Sequence, residues 1–131
     1  MEVYYESLCP DSQNFFRLQF DPVYEKLGKY LEVTLNPFGH ASVSLSSSVK
    51  IRHSLTTFTF QFEPTIEGGW TFECQHGPSE CYGNLIQACA LDRIATQDLK
   101  AEYATCIMTT KDSSLSWEAL NKEVIVWRKL S

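Results

Sequence analysis

Long apolar runs are missing from this chain. No stretch of its 131 residues approaches the roughly 18–20 apolar residues of a membrane span, so no helical span is expected. Positive charge is also scarce. Lys and Arg together number 11 against 16 Asp and Glu, for a formal net charge of −5. A nucleic-acid partner is therefore not expected, because a phosphate backbone is met by clustered positive charge. There are no internal repeats, and no Asn-x-Ser/Thr sequon: Asn14, Asn36, Asn84 and Asn121 all lack the hydroxyl two residues on. No apolar leader precedes Met1-Glu2-Val3-Tyr4-Tyr5, which is already strand-like, so any secretory signal peptide is expected to be absent from this chain. What is present is ordinary globular material. Hydrophobic residues make up 44% and charged residues 21%, and the length suits one domain, residues 1–131.

Five cysteines stand at Cys9, Cys74, Cys81, Cys89 and Cys106. In an oxidising compartment two pairs would leave one thiol over. Cys9 is alone near the N-terminus, and the other four lie close together. That makes Cys9 the odd thiol and the cluster structural. Zinc is the rival reading, through Cys74, His76, Cys81 and Cys89, but the short C-x₂-C knuckle is absent. No metal and no cofactor are expected.

Val3-Tyr4-Tyr5 reads as a strand. Phe15, Phe16, Phe20, Val23, Tyr24 and Leu27 then recur at helical spacing. Pro22 predicts a break near Asp21 and a restart, and Gly28 is a plausible C-cap. Leu31 to Leu35 alternates and reads as a second strand, followed by turn chemistry at Asn36-Pro37-Phe38-Gly39. A parallel pair joined by a crossover helix is the natural packing of this β-α-β opening.

Ser42 to Ser48 reads as a loop or an edge strand. Thr57 to Phe62 and Trp70 to Glu73 alternate and predict a hairpin around Gly68-Gly69. Helical patterns follow from Glu80 and again from Gln97 or Asp98. Trp117, Leu120, Val124 and Trp127 suit a further helix, although Val124 to Trp127 alone fits a strand as well.

Cys9-Pro10-Asp11-Ser12 falls where a strand ends and a helix begins. A helix N-terminus offers unpaired N–H groups and partial positive charge, which favour a thiolate, the attacking species in disulfide exchange. Asp11 opposes this with its own charge. Ser12 holds the place of a second redox cysteine, so a mixed disulfide formed at Cys9 has no internal thiol to resolve it. The alternative is an inert cysteine with Asp11 or Ser12 as an N-cap.

Two segments resemble the gamma-interferon-inducible lysosomal thiol reductase (GILT) family. Tyr4 to Ser12 is similar to its active-site segment. Cys74-Gln75-His76-Gly77-Pro78-Ser79-Glu80-Cys81, with Asn84 and Cys89 beyond, matches the signature C-Q-H-G-x-x-E-C-x-x-N-x-x-x-x-C. Asn36 to Ala41 resembles a third family segment, V-P-Y-G-N-A. The resemblance spans Tyr4 to about Met108.

The resemblance implies a thioredoxin-like α/β fold with an inserted helical region, in secreted or lysosomal proteins that reduce disulfides. It makes Cys9 the nucleophile and Ser12 the replacement of the resolving cysteine. It places Gln75, His76, Gly77, Glu80 and Asn84 in a signature loop, with His76 in a structural hydrogen-bonding role. The C-P-D-S version looks like invertebrate members. The family's Tyr-Val-Pro-Trp strand does not occur before Ser131, so the C-terminal part of the family fold is expected to be missing.

These readings lead to two functions. One is a thiol–disulfide oxidoreductase with Cys9 as monothiol nucleophile and weak or absent net reductase activity, acting on protein disulfides. The other is a secreted, redox-inactive binding protein that meets a protein or cell surface. A disulfide-linked dimer through Cys9 is a lesser possibility. For the remaining cysteines, the turn at Gly77-Pro78 favours Cys74–Cys81, and antiparallel helices favour Cys89–Cys106. Cys74–Cys89 with Cys81–Cys106 remains open, since four cysteines allow three connectivities.

Overall fold

A computed structural model describes residues 1–45 and 70–110, together with Trp117, Ala119 and Lys122. Strand β1 (Glu2–Tyr5) leads through a short loop into helix α1 (Pro10–Phe15). A π-helical turn, Phe16–Phe20, follows without a gap, then α2 (Asp21–Leu27) and a 3₁₀ turn at Gly28–Tyr30. Pro22 sits in the first turn of α2, where its missing N–H costs no bond and the π turn absorbs the break. Gly28 stays right-handed and carries the chain into the 3₁₀ turn, so it ends α2 without the left-handed conformation of a glycine C-cap.

Strand β2 (Thr34–Pro37) returns parallel to β1, with Glu2 opposite Thr34 and Tyr5 opposite Pro37. It begins three residues later than the alternation at Leu31 suggests. The cause is Gln97, whose side chain donates to Leu31 O at 2.8 Å and accepts from Val33 N at 2.8 Å. Those backbone groups are thus bonded before the strand ladder begins. This β-α-β unit, with helices packed against it, is the thioredoxin-like core of a mixed α/β fold.

A second sheet is an antiparallel pair of β3 (Ser42–Leu45) and β4 (Trp70–Glu73). Among the described residues, the partner of Trp70–Glu73 is the serine-rich strand, with Val43 opposite Phe72. Alternation shows that a segment can pair but not with what. Residues 57–62 lie outside the described residues, as does most of the predicted tail helix.

Helices α3 (Pro78–Arg93) and α4 (Gln97–Thr109) complete the described elements. Thr96 caps α4 by accepting the Leu99 N–H. The core joins Val3 and Tyr5 of β1, Phe16 and Phe20 of the π turn, Leu91 of α3, and Tyr103, Ala104, Ile107 and Met108 of α4. Phe16 is fully enclosed, 4.8 Å from the Tyr5 ring and 5.1 Å from that of Phe20. Burying such aromatic side chains contributes about 1.5–3 kcal/mol each. That burial fixes β1, and with it the loop that carries Cys9.

Candidate functional site

Cys9 is the residue immediately before α1, in extended conformation. Its carbonyl accepts the Gln13 N–H at 3.1 Å, and its side chain caps no backbone group. The thiol is unbonded and part-exposed. Ser12, one turn on, is engaged. Its Oγ accepts the Glu6 N–H at 3.2 Å and ties the start of α1 to the end of β1. Ser12 therefore works as a brace on the Cys9 loop.

Most of the signature residues converge on that same loop. Glu80, in the first turn of α3, is fully buried. Its Oε2 accepts the Leu8 N–H at 3.3 Å, and its Oε1 accepts the His76 N–H at 3.0 Å. Its carbonyl takes the Ser7 hydroxyl proton at 3.1 Å. One turn further along α3, Asn84 Oδ1 accepts the Ser7 N–H at 2.9 Å. Another turn on, Gln87 Oε1 accepts the Tyr5 hydroxyl at 2.9 Å. Residues 80, 84 and 87 share a helix face, so one stripe of α3 holds the chain from Tyr5 to Leu8.

His76 sits 2.7 Å from Glu80 Oε2 and 3.8 Å from Glu6 Oε2 through its Nδ1. Glu6 is buried, and its Oε1 accepts the His40 N–H at 2.7 Å. Gly77 turns the chain into α3 with φ of 85°, a left-handed value that favours glycine. Gln75 is exposed and takes no part in this cluster.

Cys74 and Cys81 are joined by a disulfide with Cα atoms 5.6 Å apart, which closes the loop carrying His76 and Glu80. Cys89 and Cys106 are thiols, so the expected Cys89–Cys106 bridge is not formed. The reason is helix phase. The buried stripe of α3 runs through Asn84, Gln87 and Leu91, and Cys89 lies about 200° around the helix from Gln87. Cys106, on α4, lines a cleft with Asp21, Tyr24 and Glu25 of α2.

Glu6, Ser7 and Gln87 escape sequence reasoning as site residues. Each is a buried polar residue whose partner lies more than thirty residues away. The one available signal is a polar residue recurring on the α3 face that periodicity assigns to the core.

A β-α-β core with a free cysteine at the strand-to-helix junction defines the class: a thioredoxin-like α/β protein. The comparisons are more specific. The family model described as gamma interferon inducible lysosomal thiol reductase (GILT) matches residues 1–122. This chain belongs to that family.

Among curated relatives, a gamma-interferon-inducible lysosomal thiol reductase-like protein of Anopheles gambiae is 36% identical over 115 residues, which is 81% of this chain and 39% of the relative. GILT-like protein 1 of Drosophila melanogaster is 36% identical over 105 residues, covering 79% and 34%. The gamma-interferon-inducible lysosomal thiol reductase of Mus musculus is 30% identical over 94 residues, covering 72% and 30%. The matches thus span between about three and four tenths of each relative's length.

Proposed function

We propose that this chain is a monothiol member of its family, one domain in which Cys9 exchanges with disulfides of protein substrates. The observation that carries the reading is Cys9 itself: an unbonded, part-exposed thiol at a helix start, on a loop fastened by part-buried Ser12 on one side and buried Glu80 on the other. The Cys9 thiolate attacks one sulfur of the substrate disulfide. A Cys9–substrate disulfide forms, and the other substrate sulfur leaves as a thiolate, protonated by solvent. A second thiol must then attack the mixed disulfide to free the product. Ser12 has no sulfur, and its oxygen accepts the Glu6 N–H. Turnover therefore draws on an external small thiol, and net reduction without one is weak or absent.

The C-P-D-S form suits an invertebrate-like variant, consistent with the insect relatives above. An oxidising secretory or lysosomal compartment suits the Cys74–Cys81 bridge. A second reading, a redox-inactive binding protein for a protein or cell-surface partner, is favoured by the conversion of the resolving position into a structural brace.

Disulfide reduction assayed with and without added small thiol separates the two. The expected result is slow activity that requires the added thiol and disappears in Cys9→Ser, whereas Ser12→Cys releases one equivalent of reduced product per chain without added thiol and then needs the thiol to reduce the intramolecular disulfide so formed. Equal rates for the parent and Cys9→Ser would leave the binding reading. Non-reducing electrophoresis of the parent reports any dimer through Cys9.

A further inference from the structure

We propose that Glu6, His76 and Glu80 form a site for a divalent transition-metal ion of the Zn²⁺ type. One donor atom from each lies within 4.8 Å of the other two. They come from three places in the chain: the loop after β1, the loop after β4, and the first turn of α3. This set shares only His76 with the cysteine-based zinc reading of the sequence and includes no sulfur.

Charge is the first argument. Glu6 and Glu80 are 2% and 0% exposed and face one imidazole. A buried charge must be matched nearby. Protonated His76 cancels one of the two negative charges, whereas a divalent ion beside a neutral imidazole cancels both.

Geometry is the second. His76 Nδ1 is 2.7 Å from Glu80 Oε2, a hydrogen bond, but 3.8 Å from Glu6 Oε2, beyond hydrogen-bond reach. A buried carboxylate oxygen is thus aimed at the imidazole without bonding to it. Tetrahedral Zn²⁺ with bonds of 2.0–2.1 Å sets its donors about 3.3 Å apart. Reaching that spacing opens the first distance by about 0.6 Å and closes the second by about 0.5 Å, and it draws the Glu6 and Glu80 donors, within 4.8 Å of each other, toward the same spacing. His76 is partly exposed, so the adjustment is available to it. To take the ion, the imidazole would give up the Nδ1 proton of its Glu80 hydrogen bond, keep one on Nε2 and offer the Nδ1 lone pair.

The carboxylates are oriented in advance. Glu6 Oε1 is held by the His40 N–H, and Glu80 Oε1 by the His76 N–H. Such outer hydrogen bonds aim the remaining oxygens of metal ligands. The Cys74–Cys81 bridge closes the loop that supplies two of the three donors. An imidazole nitrogen beside carboxylates favours Zn²⁺ and its first-row neighbours over Ca²⁺ or Mg²⁺, which prefer oxygen throughout.

Calorimetric titration of Zn²⁺ into the chelator-treated chain tests this, with Co²⁺ absorption as the spectroscopic probe. Both are run on the untreated protein and after alkylation of its free thiols. One ion per chain is expected, with affinity unchanged by alkylation and no sulfur-to-cobalt charge transfer. Binding should weaken at least tenfold in Glu6→Gln, which keeps the oxygen facing His40, and in His76→Ala. Should Glu6→Gln fail to fold, His76→Ala decides alone, since its side chain is not part of the core. Absence of Zn²⁺ binding, loss of it on alkylation, or unchanged affinity in the folded variants would overturn the proposal.

Discussion

Glu80 Oε2 accepts the backbone N–H of Leu8, a residue 72 positions earlier in the chain, and so holds the residue directly before Cys9. The signature segment and the cysteine segment meet at this bond. Glu80→Ala removes the acceptor for Leu8 and for the His76 N–H while leaving the Leu8 loop part-buried. The expected loss is about 3 kcal/mol of unfolding free energy. Urea unfolding measures it, and a loss below about 1 kcal/mol would show that the bond is incidental.

The Tyr5 hydroxyl donates to Gln87 Oε1, and both groups are buried. Tyr5→Phe should cost about 1–2 kcal/mol, because the Gln87 oxygen is left without its partner. The double change Tyr5→Phe with Gln87→Leu should cost less than the two single changes added together. A double-mutant cycle with no coupling would count against this.

Gly39 has φ of 52°, and a Cβ there would stand 2.2 Å from Glu6 Cγ. Gly39→Ala combines a strained backbone with a push on a buried carboxylate. The expected loss is about 2 kcal/mol or more. Thermal unfolding reads it directly, and an unchanged midpoint would contradict the geometry.

Alkali should unfold the protein in step with two of its six tyrosines. Burial raises Tyr5 far above the ordinary phenol range, and nearby Tyr103 adds to the shift. Tyr103 is raised chiefly by burial, then by Cys106. With folded values above the unfolded value of about 10, stability is intact below pH 10 and falls as pH rises beyond it. Tyrosinate absorbance should therefore show two groups that titrate only with loss of structure. Six tyrosines titrating together in the folded state would refute this.

Reduction of Cys74–Cys81 opens a loop of seven residues' separation. The chain-entropy relation gives roughly 2–3 kcal/mol for such a loop. Unfolding curves with and without reductant compare the two forms.

Local chemistry in the sequence was enough for several elements. Alternation at Val3 to Tyr5 marks β1, Pro22 marks the interrupted helix, and the spacing after Glu80 and Gln97 marks α3 and α4. Those depend on neighbours within a turn or two, where periodicity and backbone restrictions act. The signature motif carried the family, and Cys9 stood out because a strand-to-helix junction favours a thiolate.

Three matters were decided by tertiary structure. Trp70–Glu73 pairs with Ser42–Leu45, because strand partnership depends on register and proximity that alternation does not encode. Cys89 and Cys106 stay apart because helix phase and packing, not distance along the chain, aim their side chains. Glu6, a lone acid between Tyr5 and Ser7 in the sequence, is buried beside His76 and Glu80 because the folding of β1 against α3 brings them there. A buried charge is intelligible only once its partners are known, and these lie within the loop closed by Cys74 and Cys81, some seventy residues further along the chain.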